Sequence, residues 1–337
     1  MLVNKINKKI WPLIKDYFYL QRVTDTPLIK NISFSCDSNQ KRVLVFYLSD
    51  IYFRDFDMMK SGRTVPYEIF KIINVFSHLG YCIDLVSHND IKAIKMISEK
   101  DYDMVFGFGD AFYEFAELRP EVLSVLYMTE HHPDFSFREE QKRADYFYER
   151  HGRRVPLERS GRFYKKEHMS HKYHSVITLS EVKPFENLYK KPYNIYPSGF
   201  ISREFKFPIK DFEKARRNFL WLGSDAVIHK GLDLLIDIFS SRDDIFLHIC
   251  GLNDKSRKLL CIPKKENIFD YGFINVQSSE FQDIICKCAY SVLPSCSEGF
   301  ATSITTSMLY GLIPVVNKDT GFNRLNDMAM FFEDYHV

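Results

Sequence analysis

The stretch from Tyr290 to Asn317 constrains the fold more than any other part of the chain. It runs from an apolar segment through a short polar turn and a helically spaced segment to a second apolar segment. Ser291 to Leu293 read as a short buried strand, and Ser297-Glu298-Gly299-Phe300 as the turn. The helix that follows carries Ile304 and Met308 four apart on its apolar face. Thr302 or Ser303 is placed to cap it. Gly311 is placed to stop it, because glycine tolerates the left-handed conformation that ends helices. Leu312 to Val316 read as the next strand. Strand, helix, strand in this order is the unit from which parallel sheets are built.

The same alternation runs through the rest of the chain. Strands are expected at Arg42 to Tyr47, Tyr81 to Val86, Met104 to Phe108, Val125 to Met128 and Ser175 to Ser180, with helices over residues 66–78 and 91–98. It restarts with strands at Asn218 to Leu222, Ile245 to Cys250 and Ile268 to Phe273. Helices are expected around Leu234 and from Phe281 to Cys288. This is an α/β pattern of doubly wound parallel sheets, which bind ligands at the carboxyl ends of their strands. The segment from Pro197 to Pro208, with its Pro and Gly, is the expected boundary. The expected domains are 41–198 and 199–337, after an appendage at 1–40. In the appendage Lys5, Lys8, Lys9 and Lys15 face Asp16, and Ile6, Ile10, Leu13 and Ile14 stand at helical spacing. Pro12 weakens the helix. Such a segment either rests on an anionic membrane surface or packs on the body of the protein.

Composition narrows the function. At 337 residues, with 45% hydrophobic and 27% charged residues, the chain can bury two sizeable cores. A net charge of +2 calls for no nucleic-acid partner. No apolar run reaches the roughly 18 residues of a membrane span, and the N-terminus has no signal-peptide pattern. The seven cysteines include no C-x-x-C pair and are expected to be reduced, in a cytoplasmic protein. One tract is locally basic: Arg150, Arg153, Arg154, Arg159, Arg162, Lys165, Lys166 and Lys172 stand against Glu158 and Glu167. It reads either as a solvated face or as a surface that meets a phosphorylated or membrane-bound substrate.

Two loops carry the candidate chemistry. Gly223-Ser224 to His229-Lys230-Gly231 joins a strand to a helix and brings a cation, which suits phosphate. Its glycines follow neither the dinucleotide nor the Walker spacing. The turn at Glu298 opens a helix whose first N–H groups attract phosphate, with a carboxylate beside them to accept sugar hydroxyls. A third segment, Thr129-Glu130-His131-His132-Pro133, follows a strand of the first sheet. Its histidines are either exposed or close to a reacting group.

Taken together, Gly223…Lys230-Gly231-Leu-Asp-Leu-Leu235 and Ser297-Glu298-Gly299-Phe300…Met308…Gly311-Leu-Ile-Pro-Val-Val316 resemble the retaining nucleotide-sugar glycosyltransferases of group 1, or family four. The segment from Thr129 to Arg154 is similar to members that build bacterial surface polysaccharide. The resemblance implies two Rossmann-like domains facing across a cleft, with C-terminal helices that this sequence does not show. It implies transfer from a UDP- or GDP-linked sugar to a glycan or lipid-linked acceptor, without a metal or other cofactor, in O-antigen or capsule synthesis. The protein would then be cytoplasmic or peripheral at the inner face of the membrane. By the same resemblance, Lys230 holds the leaving diphosphate. Gly223, Ser224 and His229 line the donor site. Backbone N–H groups at Gly299, Phe300 and Ala301 hold a phosphate. Glu298 contacts the donor sugar, and His131, in preference to His132, lies near it.

Two departures from the family stand out. Thr306 occupies the place of the second motif glutamate, which holds ribose. Ser224 stands where an arginine is common, leaving Lys230 as the fixed cation, helped by His229. Thr306, with the C-terminal helices that this sequence does not show, keeps open a non-catalytic binding protein on the same scaffold. An epimerase is a further alternative.

Overall fold

The computed structural model describes residues 28–29, 39–49, 64–188, 192–200, 205, 210–322 and 327–332. Most of the expected appendage, the greater part of the loop at 49–64 and part of the boundary segment at 197–208 lie outside these. The first sheet contains β1 (Leu28–Ile29), β2 (Arg42–Tyr47), β3 (Cys82–Ser87), β4 (Met104–Gly107), β5 (Leu123–Met128), β6 (Ser175–Thr178) and β7 (Tyr193–Asn194), in the order β1-β3-β2-β4-β5-β6-β7. β2 pairs in parallel with β3 and β4, and β4 with β5, while β1 is antiparallel to β3. The helices of this part are α1 (Thr64–His78), α2 (Ile91–Ile97), α3 (Asp110–Leu118) and α4 (Pro133–His151).

The second sheet is parallel throughout. Its strands are β8 (Asn218–Leu222), β9 (Phe246–Cys250), β10 (Ile268–Asp270), β11 (Tyr290–Leu293), β12 (Ile313–Asn317) and β13 (Met330–Phe332), in the order β10-β9-β8-β11-β12-β13. Its helices are α5 (Phe212–Ala215), α6 (Leu232–Ser240), α7 (Asp254–Leu260), α8 (Ser279–Lys287) and α9 (Thr302–Leu309). The strand order reverses between β8 and β11. That switch point leaves a crevice above the carboxyl ends of the two strands, bordered by the loops that follow them.

The apolar runs form the strands because both faces of a parallel sheet are covered. Val43, Leu44, Val45 and Phe46 are fully buried, and so are Leu220 and Trp221 on β8. Helix α9 has a Thr- and Ser-rich sequence whose hydroxyls are satisfied by bonding back onto the helix's own carbonyls. Thr305 donates to Thr302 O at 3.1 Å and Ser307 to Ser303 O at 2.9 Å. Gly311 follows its end at φ 78°, as expected. The expected cap is corrected: the N-cap is Ala301, which makes no side-chain capping bond, and Thr302 is the first helical residue. The expectation of seven reduced thiols is also corrected. Cys82 is disulfide-bonded, while Cys250, Cys261, Cys286, Cys288 and Cys296 are free.

The described residues fall into two compact units. One holds those within 1–59, 65–126 and 171–174, the other those within 60–64, 127–170 and 175–337. Residue 198 lies within the second unit, which also takes in α4. The buried residues of this helix are Pro133, Glu140, Arg143 and Phe147. Phe147 joins the core that contains Trp221, Val227 and Leu232. Arg143 is fully buried and donates to Pro294 O at 2.9 Å and Ile228 O at 3.4 Å, so one side chain grips both crevice loops. Arg150 pairs with Asp233 and Asp237 of α6.

Replacing Arg143 by Met strands two carbonyls and removes a cation from beside Asp233. The expected loss is about 3 kcal/mol of unfolding free energy, measured by urea denaturation. A loss below about 1 kcal/mol would show that the loops hold without this grip.

Candidate donor site at the switch point

The loop after β8 winds into a tight turn before α6. Lys230 N donates to Ala226 O at 2.9 Å and Leu232 N to Val227 O at 3.0 Å. Gly231 then takes φ 68° as the N-cap of α6. This places His229 inward and Lys230 at the crevice. The loop after β11 is stitched to it. Cys296 N donates to His229 O at 2.9 Å, and His229 Nε2 lies 2.6 Å from Ser297 O. Gly299 sits where a Cβ would come within 2.2 Å of Thr129 O, so any larger residue would push this turn off the strand-end segment beside it.

Lys230 and Glu298, expected to act together, meet. Lys230 Nζ donates to Glu298 Oε1 at 2.8 Å, and Ser295 Oγ donates to the same oxygen at 3.0 Å. Arg159 Nη1 donates to Glu298 Oε2 at 3.1 Å. Burial opposes ionisation of Glu298, but the Lys230 ammonium and Arg159 guanidinium outweigh it and hold the carboxyl below its ordinary range. Lys230 is thus not the only cation fixed at this carboxylate. Arg159 belongs to the basic tract, and only the three-dimensional path of that tract brings it here.

The other expected residues lie on the two crevice loops, on α9 and at the start of α4. Ser224 is exposed beside Gly223, whose N–H is bonded to Cys250 O at 3.0 Å. Phe300 packs its ring on Phe322 at 4.6 Å between centroids, and Ala301 is buried, so these two offer backbone rather than side chains. The uncapped start of α9 follows them directly, with first-turn N–H groups that its own carbonyls cannot satisfy. Thr306 is 3% exposed, donates to Thr302 O at 2.8 Å and accepts from Phe200 N at 3.1 Å. Its hydroxyl is engaged by the fold. His131 accepts from His132 N at 2.8 Å through Nδ1, and burial lowers its pKa to about 4. It is therefore a neutral imidazole with its proton on Nε2. His132 is the N-cap of α4.

His229 is different. Its Nδ1 lies 3.2 Å from Glu140 Oε1 and 3.4 Å from Cys296 Sγ, while Nε2 faces the Ser297 carbonyl. Both nitrogens face acceptors, so both carry protons. Burial works against the charge, but Cys296 and Glu140 prevail and raise the pKa to about 9. Glu140 also accepts from the backbone N–H groups of Glu158, Arg159 and Ser160 at 2.7, 2.9 and 2.7 Å. Glu158 returns the tie by accepting from Ile228 N and His229 N at 3.0 and 3.2 Å. Among the described residues, no group of three or more His, Cys, Asp or Glu is arranged to hold a metal, and no helix is long and apolar enough to cross a membrane.

Residues 203–329, which contain both crevice loops, match the family described as "Glycosyl transferases group 1". The match covers this part of the chain alone and supports an enzyme that transfers glycosyl groups. No curated protein matches the chain. Among solved structures it is similar to sucrose-phosphate synthase from Thermosynechococcus elongatus, at 11% identity and TM-score 0.55 over 88% of this chain and 87% of that one. It is also similar to the lipopolysaccharide outer core galactosyltransferase WaaB, at 13% identity and TM-score 0.50 over 87% of this chain and 81% of that one. These likenesses support the fold: two Rossmann-like domains, as in the two-domain glycosyltransferases.

The protein should lose stability in alkali. The His229 pKa in the folded protein, about 9, lies above the roughly 6.5 of an unfolded histidine. The stabilisation is full below about pH 6.5 and is lost as the pH rises through about 9. The melting temperature should fall from about pH 7 to about pH 9.5 in the wild type, and fall less in His229→Gln. Equal falls in both proteins would show that His229 is not charged in the fold.

Proposed function

We propose that the enzyme is a retaining glycosyltransferase that moves a sugar from a nucleoside-diphosphate sugar to a glycan or lipid-linked acceptor. The pathway proposed is synthesis of a surface polysaccharide such as O-antigen or capsule. The observation that carries the reading is the 2.8 Å contact of Lys230 with Glu298 at the switch point, next to the uncapped start of α9. A cation and a helix start together suit the diphosphate, and the carboxylate suits sugar hydroxyls.

On this reading the bond between the anomeric carbon and the phosphate oxygen breaks. An acceptor oxygen bonds to that carbon on the same face, and its proton passes to the departing phosphate oxygen. The chain's part is positioning and charge. Lys230 and the helix start stabilise the leaving diphosphate, so no metal cofactor is called for. Neutral His131 offers an Nε2–H to a sugar oxygen. Thr306 is engaged within the fold, so the ribose is held by other groups. Peripheral contact with an anionic membrane, through the basic residues near the N-terminus, fits a lipid-linked acceptor.

Lys230→Ala should lower transfer by about 100-fold or more while the melting temperature stays near that of the wild type. The donor is identified by a thermal-shift series with UDP, GDP, ADP and CMP and their sugar conjugates. A ligand at about 100 times its dissociation constant stabilises the fold by roughly 2.7 kcal/mol. Unimpaired turnover in Lys230→Ala, or no shift with any nucleotide, would overturn the reading.

A further inference from the structure

Arg159 holds the same carboxylate as Lys230, from the other side. Its Nη1 is 3.1 Å from Glu298 Oε2, and its Nη2 is 2.6 Å from Glu130 Oε1. The backbone under it is fixed, because the N–H groups of residues 158 to 160 all donate to Glu140. Its side chain is 25% exposed, against 8% for Glu298. Two cations on one carboxylate exceed what neutralising Glu298 requires. Counting Glu130, the four groups are balanced without a ligand.

We propose that Arg159 is a second diphosphate-binding residue of the donor site, held on Glu298 and Glu130 until the donor arrives. On binding, its guanidinium exchanges Glu298 for phosphate oxygens, which its planar fork can contact in pairs. Glu298 is then free on that side to accept sugar hydroxyls. Glu298 keeps Ser295 Oγ at 3.0 Å on its other oxygen, and the sugar hydroxyls take up the oxygen that Arg159 leaves. This inference rests on the donor reading given above.

The test is calorimetric titration of the full chain and its Arg159→Gln and Arg159→Lys variants with UDP, GDP and ADP and with the matching monophosphates. For the base that binds, the ratio of diphosphate to monophosphate affinity should fall by about tenfold or more in Arg159→Gln, and by less in Arg159→Lys. A partly unfolded variant loses both affinities in proportion, so the ratio stays readable. An unchanged ratio in Arg159→Gln would overturn the role of Arg159 and leave the glycosyltransferase reading standing. Failure of the wild type to bind any nucleoside diphosphate would overturn both.

Discussion

The buried carboxylate of Glu140 is the interaction on which the site depends. A charge taken out of water is tolerated only when several donors converge on it. Glu140 receives three backbone N–H groups and faces the imidazolium of His229, and its pKa is lowered to about 2 although burial alone would raise it. From this one group the order spreads both ways. The turn at 158 to 160 is set, which aims Arg159. His229 is set, and its ring and carbonyl fix the loop that carries Glu298. The carboxylate proposed to meet the sugar and the carboxylate that anchors the fold are separate groups, joined through one histidine.

Much of the fold was legible in sequence because it follows from period and punctuation. The strands of both sheets lie where their apolar runs lie, and Gly311 ends α9 by its backbone freedom. Lys230 and Glu298 could be paired because each follows a strand flanking the switch point, and parallel topology brings those strand ends together. Helix α4 was not legible. Its buried positions include Glu140 and Arg143, which the binary pattern reads as solvent-facing, so its core stripe is hidden. Arg159 was hidden for a related reason. In a run of like charges, nothing local marks the one residue whose backbone is clasped by a distant glutamate. The engagement of Thr306 was equally invisible, since its partner Phe200 is 106 residues away in the chain.

The charges at the crevice are arranged before any substrate arrives. Lys230, Arg159, Glu298 and Glu130 are held on short contacts by fixed backbone. An enzyme that relies on electrostatics gains from this, because fixed dipoles and charges need little reorganisation as charge develops on a leaving group. The neutral state of His131 fits the same logic. Burial keeps the ring uncharged, so it offers a hydrogen-bond donor without adding charge.

Helix α4 also bears on modularity. In sequence it precedes β6 and β7 of the first sheet, yet its arginines and Glu140 complete the core and the loops of the second. The unit that carries the proposed donor site is therefore discontinuous along the chain. Recombination that exchanged everything after residue 198 would carry Lys230 and Glu298 into a new partner without the helix that holds their loops. Swaps of donor specificity between relatives built this way would have to move residues 127–170 in the same event. That requirement ties the inheritance of the two segments together.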